Sequence, residues 1–445
     1  MRRVRLVIGA VVSLFLIGVV ELQAQELDQR IIALIEEVSP ERLMATVEKL
    51  ASFETRNTLS TTTDPARGIG AAREWIFQEF ESYSPRLQVE FDTHQVAAGG
   101  RIAKDIELRN VVAILPGKSE RRIYVGGHYD SFAFLEDRRQ DSWGPDQDRY
   151  APGANDDASG TALTMELARV FAQSGIEFDA TLVFIAFAGE EQGLIGAALH
   201  ADRAVEEGWT IDAVYNNDMI GNSTGGNGAV DSWTVRVFSE GPEDSPSRQL
   251  ARHIRRFASR YVPSHHVRLI AREDRFGRGG DHTPFNQRGF TAVRLTESKE
   301  NYERQHTILD TPDGVDPEYL AQNARVNLAS IATAALAPPA PNVMSRWGQP
   351  MLGRGASGYD AHLRWEPSPG AVGYRIYWRE AWGPDWEHEL EVGDLTEVVL
   401  TDLSIDDYIF GVAAIGPGGH ESYVSAYVRP ARPPVQVRTA SSGSD

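Results

Sequence analysis

The sequence predicts an α/β fold, a mainly parallel mixed sheet flanked by helices, followed by a small all-β sandwich domain. Three observations carry that prediction. From residue 27 to about residue 336, strand-like runs alternate with segments of helical period, the order that builds parallel sheets with crossover helices. The stretch Ala334-Ala-Leu-Ala-Pro-Pro-Ala-Pro341 then breaks the pattern with a stiff, extended connector. Beyond it the hydrophobic period falls to two, as Leu363 and Trp365, then Tyr374, Ile376 and Trp378, then Tyr408, Phe410 and Val412 alternate with polar or small residues. A chain of 445 residues is longer than one core usually supports. The expected units are a leader over 1–24, the α/β domain over 25–336, a linker over 337–350, the sandwich over 351–431 and a disordered tail over 432–445.

The first residues, Met1-Arg-Arg-Val-Arg5, precede an apolar run over 6–20 and a small-residue site ending at Ala24, the layout of a secretory signal cleaved there. The expected location is therefore secreted or periplasmic. The alternative is an uncleaved anchor, although the run falls short of the ~20 residues that span a bilayer; membrane contact is expected only through that segment.

Residues 27–50 hold Ile31, Leu34 and Ile35, then Leu43, Val47 and Leu50, at helical spacing on either side of Pro40, which predicts two helices. Residues 67–83 repeat the spacing through Ile69, Ala72, Ile76 and Phe80, and 87–91 and 110–115 read as strands. A strand over 122–126 runs into His128, a helix over 161–173 presents Leu163, Leu167, Val170 and Phe171, a strand over 180–187 runs into Glu190, and one over 211–215 runs into Asp218. Ser245-Pro246 suits a cap followed by proline and opens a helix to 261. A strand over 291–295 follows, and Asp316-Pro317 starts a last helix through Leu320, Ala324, Leu328 and Ile331. In open α/β sheets ligands bind beyond the carboxyl ends of the strands. Each of these strands delivers an acid or an imidazole there.

Composition narrows the chemistry. With no cysteine there is neither a disulfide nor a thiolate metal site, so any metal must be held by His, Asp and Glu. A net charge of −19 disfavours nucleic acid and anionic membrane as partners. The sequence carries no signal for oligomeric state.

In Pro152-Gly-Ala-Asn-Asp-Asp-Ala-Ser-Gly160, Asp156 and Asp157 lead into an apolar helix. Carboxylates are seldom buried without a counter-charge, yet the same residues serve equally as a solvated helix cap. His128-Tyr-Asp130 offers an imidazole whose second ring N–H has a carboxylate two residues on, as metal-binding histidines use, and as many structural histidines also do. Glu190-Glu191 puts two like charges at the mouth of an apolar strand, which in isolation reads as a solvated turn. His306 is a loop histidine, with His282 as its rival. Together the order His, Asp, Glu-Glu, Asp, His supplies five ligands and one spare carboxylate. Two zinc ions about 3.5–4 Å apart, bridged by a shared carboxylate, need that set.

His128-Tyr-Asp-Ser131, Pro152 to Gly160, Glu190-Glu191-Gln-Gly193, Asn217-Asp218-Met219, Asp281-His282 and His306-Thr-Ile-Leu-Asp310-Thr311 together resemble family twenty-eight of the metallopeptidases, the co-catalytic zinc aminopeptidases of the bacterial leucyl type. The likeness covers about residues 27–336. It implies two Zn2+ per chain, with Asp156 as the bridge, Glu191 and His306 on one zinc, and His128 and Asp218 on the other. It implies Glu190 as general base and acid, Asp130 orienting His128, Asp310 orienting His306, and a cis Asp156–Asp157 peptide. Tyr302 would be a transition-state donor and His282 would lie near the substrate, off the metal. The substrate implied is a peptide or protein with a free amino terminus. The same fold leaves open a carboxypeptidase or aminoacyl hydrolase, a one-zinc glutaminyl cyclase, and a receptor-like homologue without catalysis. Between Asp218 and His306 there is room only for a helix, a strand and loops, which counts against a carboxypeptidase with an inserted dimerisation domain. The acidic, aromatic stretch 131–150 is the expected lid. Trp365, the corner over 403–408 and Tyr408-Ile-Phe410-Gly-Val412 resemble a fibronectin type III module, whose Trp382, Trp386 and Tyr423 are expected to pack on the α/β domain.

Overall fold

The computed structural model describes residues 27–134 and 148–429. The leader 1–24, most of the expected lid and the tail 432–445 lie outside the described residues. The chain opens with helix α1 (Gln29–Glu36), capped by the Asp28 carboxylate, and α2 (Pro40–Ala51), capped by the Ser39 hydroxyl with Pro40 at the first position. Helix α3 (Gly68–Tyr83) leads into strands β1 (Gln88–Val96), β2 (Ile106–Leu115) and β3 (Arg122–His128). A π-type turn, Ala154–Ala158, runs directly into α4 (Ser159–Gln173). Then come β4 (Thr181–Phe187), α5 (Ile195–Glu206), β5 (Ile211–Asn217), β6 (Thr234–Ser239), α6 (Pro246–Tyr261), β7 (His266–Ile270), α7 (His282–Gln287), β8 (Ala292–Glu297) and α8 (Pro317–Leu336).

The eight strands form one mixed sheet in the order β1-β2-β4-β3-β5-β8-β6-β7. Its centre, β4-β3-β5-β8, is parallel, while β1, β2 and β6 join antiparallel. Helices cover both faces, so the central strands are continuous apolar runs such as Leu182–Val183–Phe184–Ile185, all fully buried. One face carries α2, α3, α4 and α8 around Leu163, Leu167 and Phe171; the other carries α5 and α7 around Phe187, Ala201 and Phe285. Two glycines bring α4 onto the sheet. A Cβ on Gly127 would lie 2.6 Å from the Gly160 backbone, and one on Gly160 would lie 2.1 Å from the Asn217 carbonyl. The turn before α4 is thereby pressed against the carboxyl ends of β3 and β5.

The stretch from Asp218 to His306 holds more than the expected helix and strand: β6, α6, β7, α7 and β8. Of these β6, β7 and α7, like α5 earlier in the chain, are absent from the sequence reading. Helix α7 has six residues, too few for a periodic signal, and the buried face of α5 is made of Gly196, Ala197, Ala201 and Ala204 beside His200, without a large apolar residue. The β1-β2 hairpin is also longer than expected, because Thr93, His94 and Gln95 disguise the end of β1.

The C-terminal unit consists of two antiparallel sheets. One is β13-β10-β9, from β9 (Leu352–Arg354), β10 (Ala361–Arg364) and β13 (Glu397–Leu400). The other is β12-β11-β14-β15, from β11 (Gly373–Glu380), β12 (His388–Gly393), β14 (Tyr408–Ile415) and β15 (Ser425–Ala426). Leu363, Trp365, Tyr374, Ile376, Phe410 and Val412 fill the space between them. Val343 belongs to the same core and Met344 bridges to Pro350, so the packed unit starts inside the segment expected to be linker. It docks on α6. Arg379 donates to both oxygens of Asp244 at 2.8 and 2.9 Å, and Trp386 donates to the Gln249 side chain at 3.2 Å. The Tyr423 ring sits 4.7 Å from that of His253. Trp382, expected to pack as well, is exposed.

Candidate metal centre

The site forms where the parallel strands end. His128 is the last residue of β3, and its Nε2 lies 3.1 Å from Asp156 Oδ1. Asp156 sits in the π-type turn, and the Asp156–Asp157 peptide is cis, as the resemblance implied. The other Asp156 oxygen, Oδ2, lies 3.1 Å from His306 Nε2, which is also 3.1 Å from Glu191 Oε2. Asp218 follows β5. Ligand atoms of His128, Asp156 and Asp218 lie within 4.8 Å of one another, as do those of Asp156, Glu191 and His306, and those of His128, Glu190 and Glu191.

The structure thus brings together the five expected ligands and the spare Glu190. Two donors bound tetrahedrally at about 2.0–2.1 Å from zinc stand about 3.3 Å apart, close to the three 3.1 Å spacings here. Glu191 Oε1 is buried with no hydrogen-bond partner, and an orphaned carboxylate oxygen is costly unless a cation takes it. Burial, with the negative charge of Asp218 and Glu191, pushes Glu190 well above the carboxylate range, and burial does the same to Asp157 and Asp281. Burial works against protonation of His128 and His306, but Glu190 beside the first and Glu191 beside the second outweigh it and raise both imidazoles. Such a cluster repels itself, and the donor set fits divalent cations of the zinc type.

Backbone contacts hold the donors in place. The Asp157 carboxylate accepts from the N–H groups of His128, Gly160 and Met219 at 3.0, 2.9 and 3.1 Å, fastening β3, α4 and the end of β5 to one point. Asp130 accepts from the N–H groups of Glu190 and Glu191, both at 3.2 Å. Its backbone carbonyl is the nearer acceptor for His128 Nδ1, at 3.1 Å against 3.5 Å for the carboxylate. Asp130 therefore orients the Glu-Glu turn as well as the imidazole. Asp310 differs from expectation: its carboxylate accepts from the N–H groups of Asn155 and Asp156 at 3.0 and 2.9 Å. It positions the backbone of Asp156 instead of the His306 ring, and burial pushes its pKa up to about 7.

The structure also places the two residues expected near the substrate. Tyr302 is half exposed and its hydroxyl donates to Glu300 at 2.8 Å, so that proton is directed at a neighbouring carboxylate. His282 is fully buried, with Nε2 at 2.9 Å from the Glu273 carbonyl. Burial pushes its pKa down to about 4, and the neutral ring packs within the domain, not at an open face.

Several contributors escaped the sequence reading. Arg56, fully buried, donates to the carbonyls of Leu50, Tyr129, Pro152 and Gly153 at 2.6 to 3.0 Å. It puts a positive charge beneath the acids and fixes the turn that carries Asp156. Arg294, also fully buried, pairs with Asp218 Oδ1 at 2.7 Å and with Asp274 at 3.3 Å. A charge in the apolar strand Ala-Val-Arg-Leu was a signal that could have been read. Gln305 donates to Asp156 Oδ2 at 2.9 Å.

Residues 110–331 match the sequence profile described as peptidase family M28. A "Probable zinc metalloprotease" of Pyricularia oryzae is 39% identical over 442 residues, covering 90% of this chain and 85% of its own. Another of the same description, from Pyrenophora teres f. teres, is 37% identical over 91% of this chain and 88% of its own. Among solved structures, LapB from Legionella pneumophila aligns with a TM-score of 0.55 at 23% identity, over 69% of this chain and 75% of that one.

Proposed function

The chain belongs to peptidase family M28 and is a zinc metallopeptidase, and from that premise we propose that it is an aminopeptidase working with two zinc ions. One observation carries the reading. Asp156 turns one oxygen to His128 and the other to His306, so a single carboxylate is shared by two donor groups. His128, Asp156 and Asp218 would hold one cation, and Asp156, Glu191 and His306 the other. Bound there, the pair supplies a Lewis acid and lowers the pKa of water towards ~7.

The protein groups do the rest. Glu190 stands beside His128 and Glu191 but outside the two groups that share Asp156, which leaves its carboxylate to take a proton from the attacking water. It returns that proton to the leaving amine, so one peptide bond and one water become a free amino acid and a shortened peptide. Asp130 fixes the approach of Glu190 through its backbone N–H. The acids around Asp218 and Glu190 favour a substrate whose amino terminus is charged.

The test is hydrolysis of leucyl p-nitroanilide against its N-acetyl analogue by zinc-loaded protein. Turnover of the free form alone is expected. Turnover of a blocked peptide from its carboxyl end would favour a carboxypeptidase of this fold, and a requirement for one zinc a glutaminyl cyclase. We also read residues 1–24 as a cleaved export signal, which sequencing of the exported protein's amino terminus tests. The two antiparallel sheets around Trp365 support reading the C-terminal unit as fibronectin type III-like.

A further inference from the structure

The loop after β7, residues 271–281, is fixed by a chain of buried ion pairs that starts at the metal centre. Arg294 links Asp218 to Asp274 and donates to the Gly279 carbonyl at 3.0 Å. Arg275 links Asp274 at 3.0 Å to Glu300 at 2.8 Å. A turn closes the loop, with the Arg278 N–H donating to the Arg275 carbonyl at 3.1 Å and Gly277 at φ +70. Each buried charge in this chain is matched by an opposite one, as its desolvation requires. What the turn presents outward is Arg278, together with Phe276, which is 89% exposed.

Arg278 differs from Arg275 on the same loop. Among the described residues it has no carboxylate within ion-pair distance, and its guanidinium donates only to Gln305 Oε1, at 3.4 Å. The same Gln305 side chain donates through Nε2 to Asp156 Oδ2. One amide group therefore separates an unpaired guanidinium from the carboxylate shared by the two donor groups. An extended peptide advances about 3.3–3.6 Å per residue, so a carboxylate carried by the residue after the scissile bond falls within reach of Arg278 when the scissile carbonyl is at Asp156. Guanidinium is the side chain best matched to carboxylate, through paired, charge-assisted hydrogen bonds.

We propose that Arg278 is a specificity-determining residue that binds a carboxylate on the residue following the scissile bond. Resting on the aminopeptidase reading, this assigns the substrate class as short peptides, above all dipeptides, or peptides with Asp or Glu in second position. The two sources share one chemistry. The acids at the centre receive the amino terminus, and Arg278 receives the negative group beyond the bond to be cut.

The experiment compares Leu-Leu, Leu-Leu-amide, Leu-Glu-amide and N-acetyl-Leu-Leu on zinc-loaded wild type, Arg278→Gln and Arg278→Lys. Wild type is expected to favour Leu-Leu over Leu-Leu-amide by about tenfold in kcat/KM, chiefly through KM. Arg278→Gln should bring the ratio near one, and Arg278→Lys should keep part of it. Leu-Glu-amide separates a side-chain carboxylate from a terminal one. Calorimetry with the reduced-bond analogue of Leu-Leu and its amide should give the same tenfold ratio in Kd, lost in Arg278→Gln. Equal rates for Leu-Leu, Leu-Leu-amide and Leu-Glu-amide in the wild type, or a preference for either carboxylate that survives in Arg278→Gln, overturns the assignment. Failure to cleave any substrate with a free amino terminus, or cleavage of the acetylated one, sinks the aminopeptidase reading instead.

Discussion

For Asp156 to serve two cations its carboxylate must be held edge-on between His128 and His306, and the backbone of the site is held for that by side-chain carboxylates that accept from main-chain N–H groups. Asp310 takes the Asp156 N–H, Asp157 takes that of His128, and Asp130 takes those of Glu190 and Glu191. Replacing Glu190 by Gln keeps the shape and removes the carboxylate proposed to carry the proton. The expected result is zinc content unchanged and kcat lower by roughly 10²–10⁴-fold; near-full activity would assign the base elsewhere. Asp130→Ala frees both the imidazole and the Glu-Glu turn, and zinc should bind about 10–100-fold more weakly, as read by competition with a chromogenic chelator. An unchanged zinc affinity would mean that the Asp130 carbonyl alone orients His128. His128, Glu190 and Asp218 were legible because each follows an apolar run that ends at the sheet's edge, whereas Asp156 and His306 lie in a turn and a loop and were legible only through the family resemblance. Arg56 and the role of Asp310 were not, because both act on backbone groups from distant parts of the chain, and nothing local marks which carbonyl or N–H a side chain will meet.

At the scale of the element, the β1-β2 hairpin is tied to α5 by a buried network about Asp92. Its carboxylate accepts from His200 at 2.7 Å, Asn110 at 3.0 Å and Arg203 at 3.1 Å, with His94 at 3.0 Å. Burial opposes the charge, but the hydrogen bonds to His200 and His94 win and hold Asp92 well below the usual carboxylate range. The folded pKa therefore lies below the unfolded value of about 3.9. Its stabilisation is complete above about pH 5 and drains away as pH falls through and below 4. Asp92→Asn should lower stability at neutral pH by about 3–5 kcal/mol. The Tm gap between variant and wild type should be constant from pH 7 to 5 and narrow below pH 4; a gap unchanged at pH 3 would show that the network does not depend on the Asp92 charge. The parallel centre of the sheet was readable from composition alone, since strands covered on both faces need apolar residues at every position. The flanks were harder, because half-exposed edge strands such as β7, which pairs in parallel with β6, mix arginine and histidine into the pattern.

At the scale of the whole molecule, the change of period near residue 340 marked the second unit, but the docking face was missed. Helix α6 carries Arg248, Arg252, Arg255, Arg256 and Arg260 at three- and four-residue steps. Such a stripe usually faces water. Here Arg252 donates to the Pro384 carbonyl at 3.0 Å, Arg255 pairs with Asp385, and Arg256 pairs with Glu389 at 2.6 Å. Arg379→Ala, which leaves Asp244 with Arg252 at 3.3 Å as its remaining ion-pair partner, should cost about 1.5–3 kcal/mol and split one thermal transition into two. A single transition at the wild-type Tm would mean that the ion pair contributes nothing to docking. The central claim, one carboxylate shared by two zinc ions, is tested most directly by zinc content per chain, measured by mass spectrometry on the purified wild type and on Asp156→Ala. The account predicts two zinc ions in the wild type and loss of both in the variant; one zinc per wild-type chain, or two retained without Asp156, would contradict it.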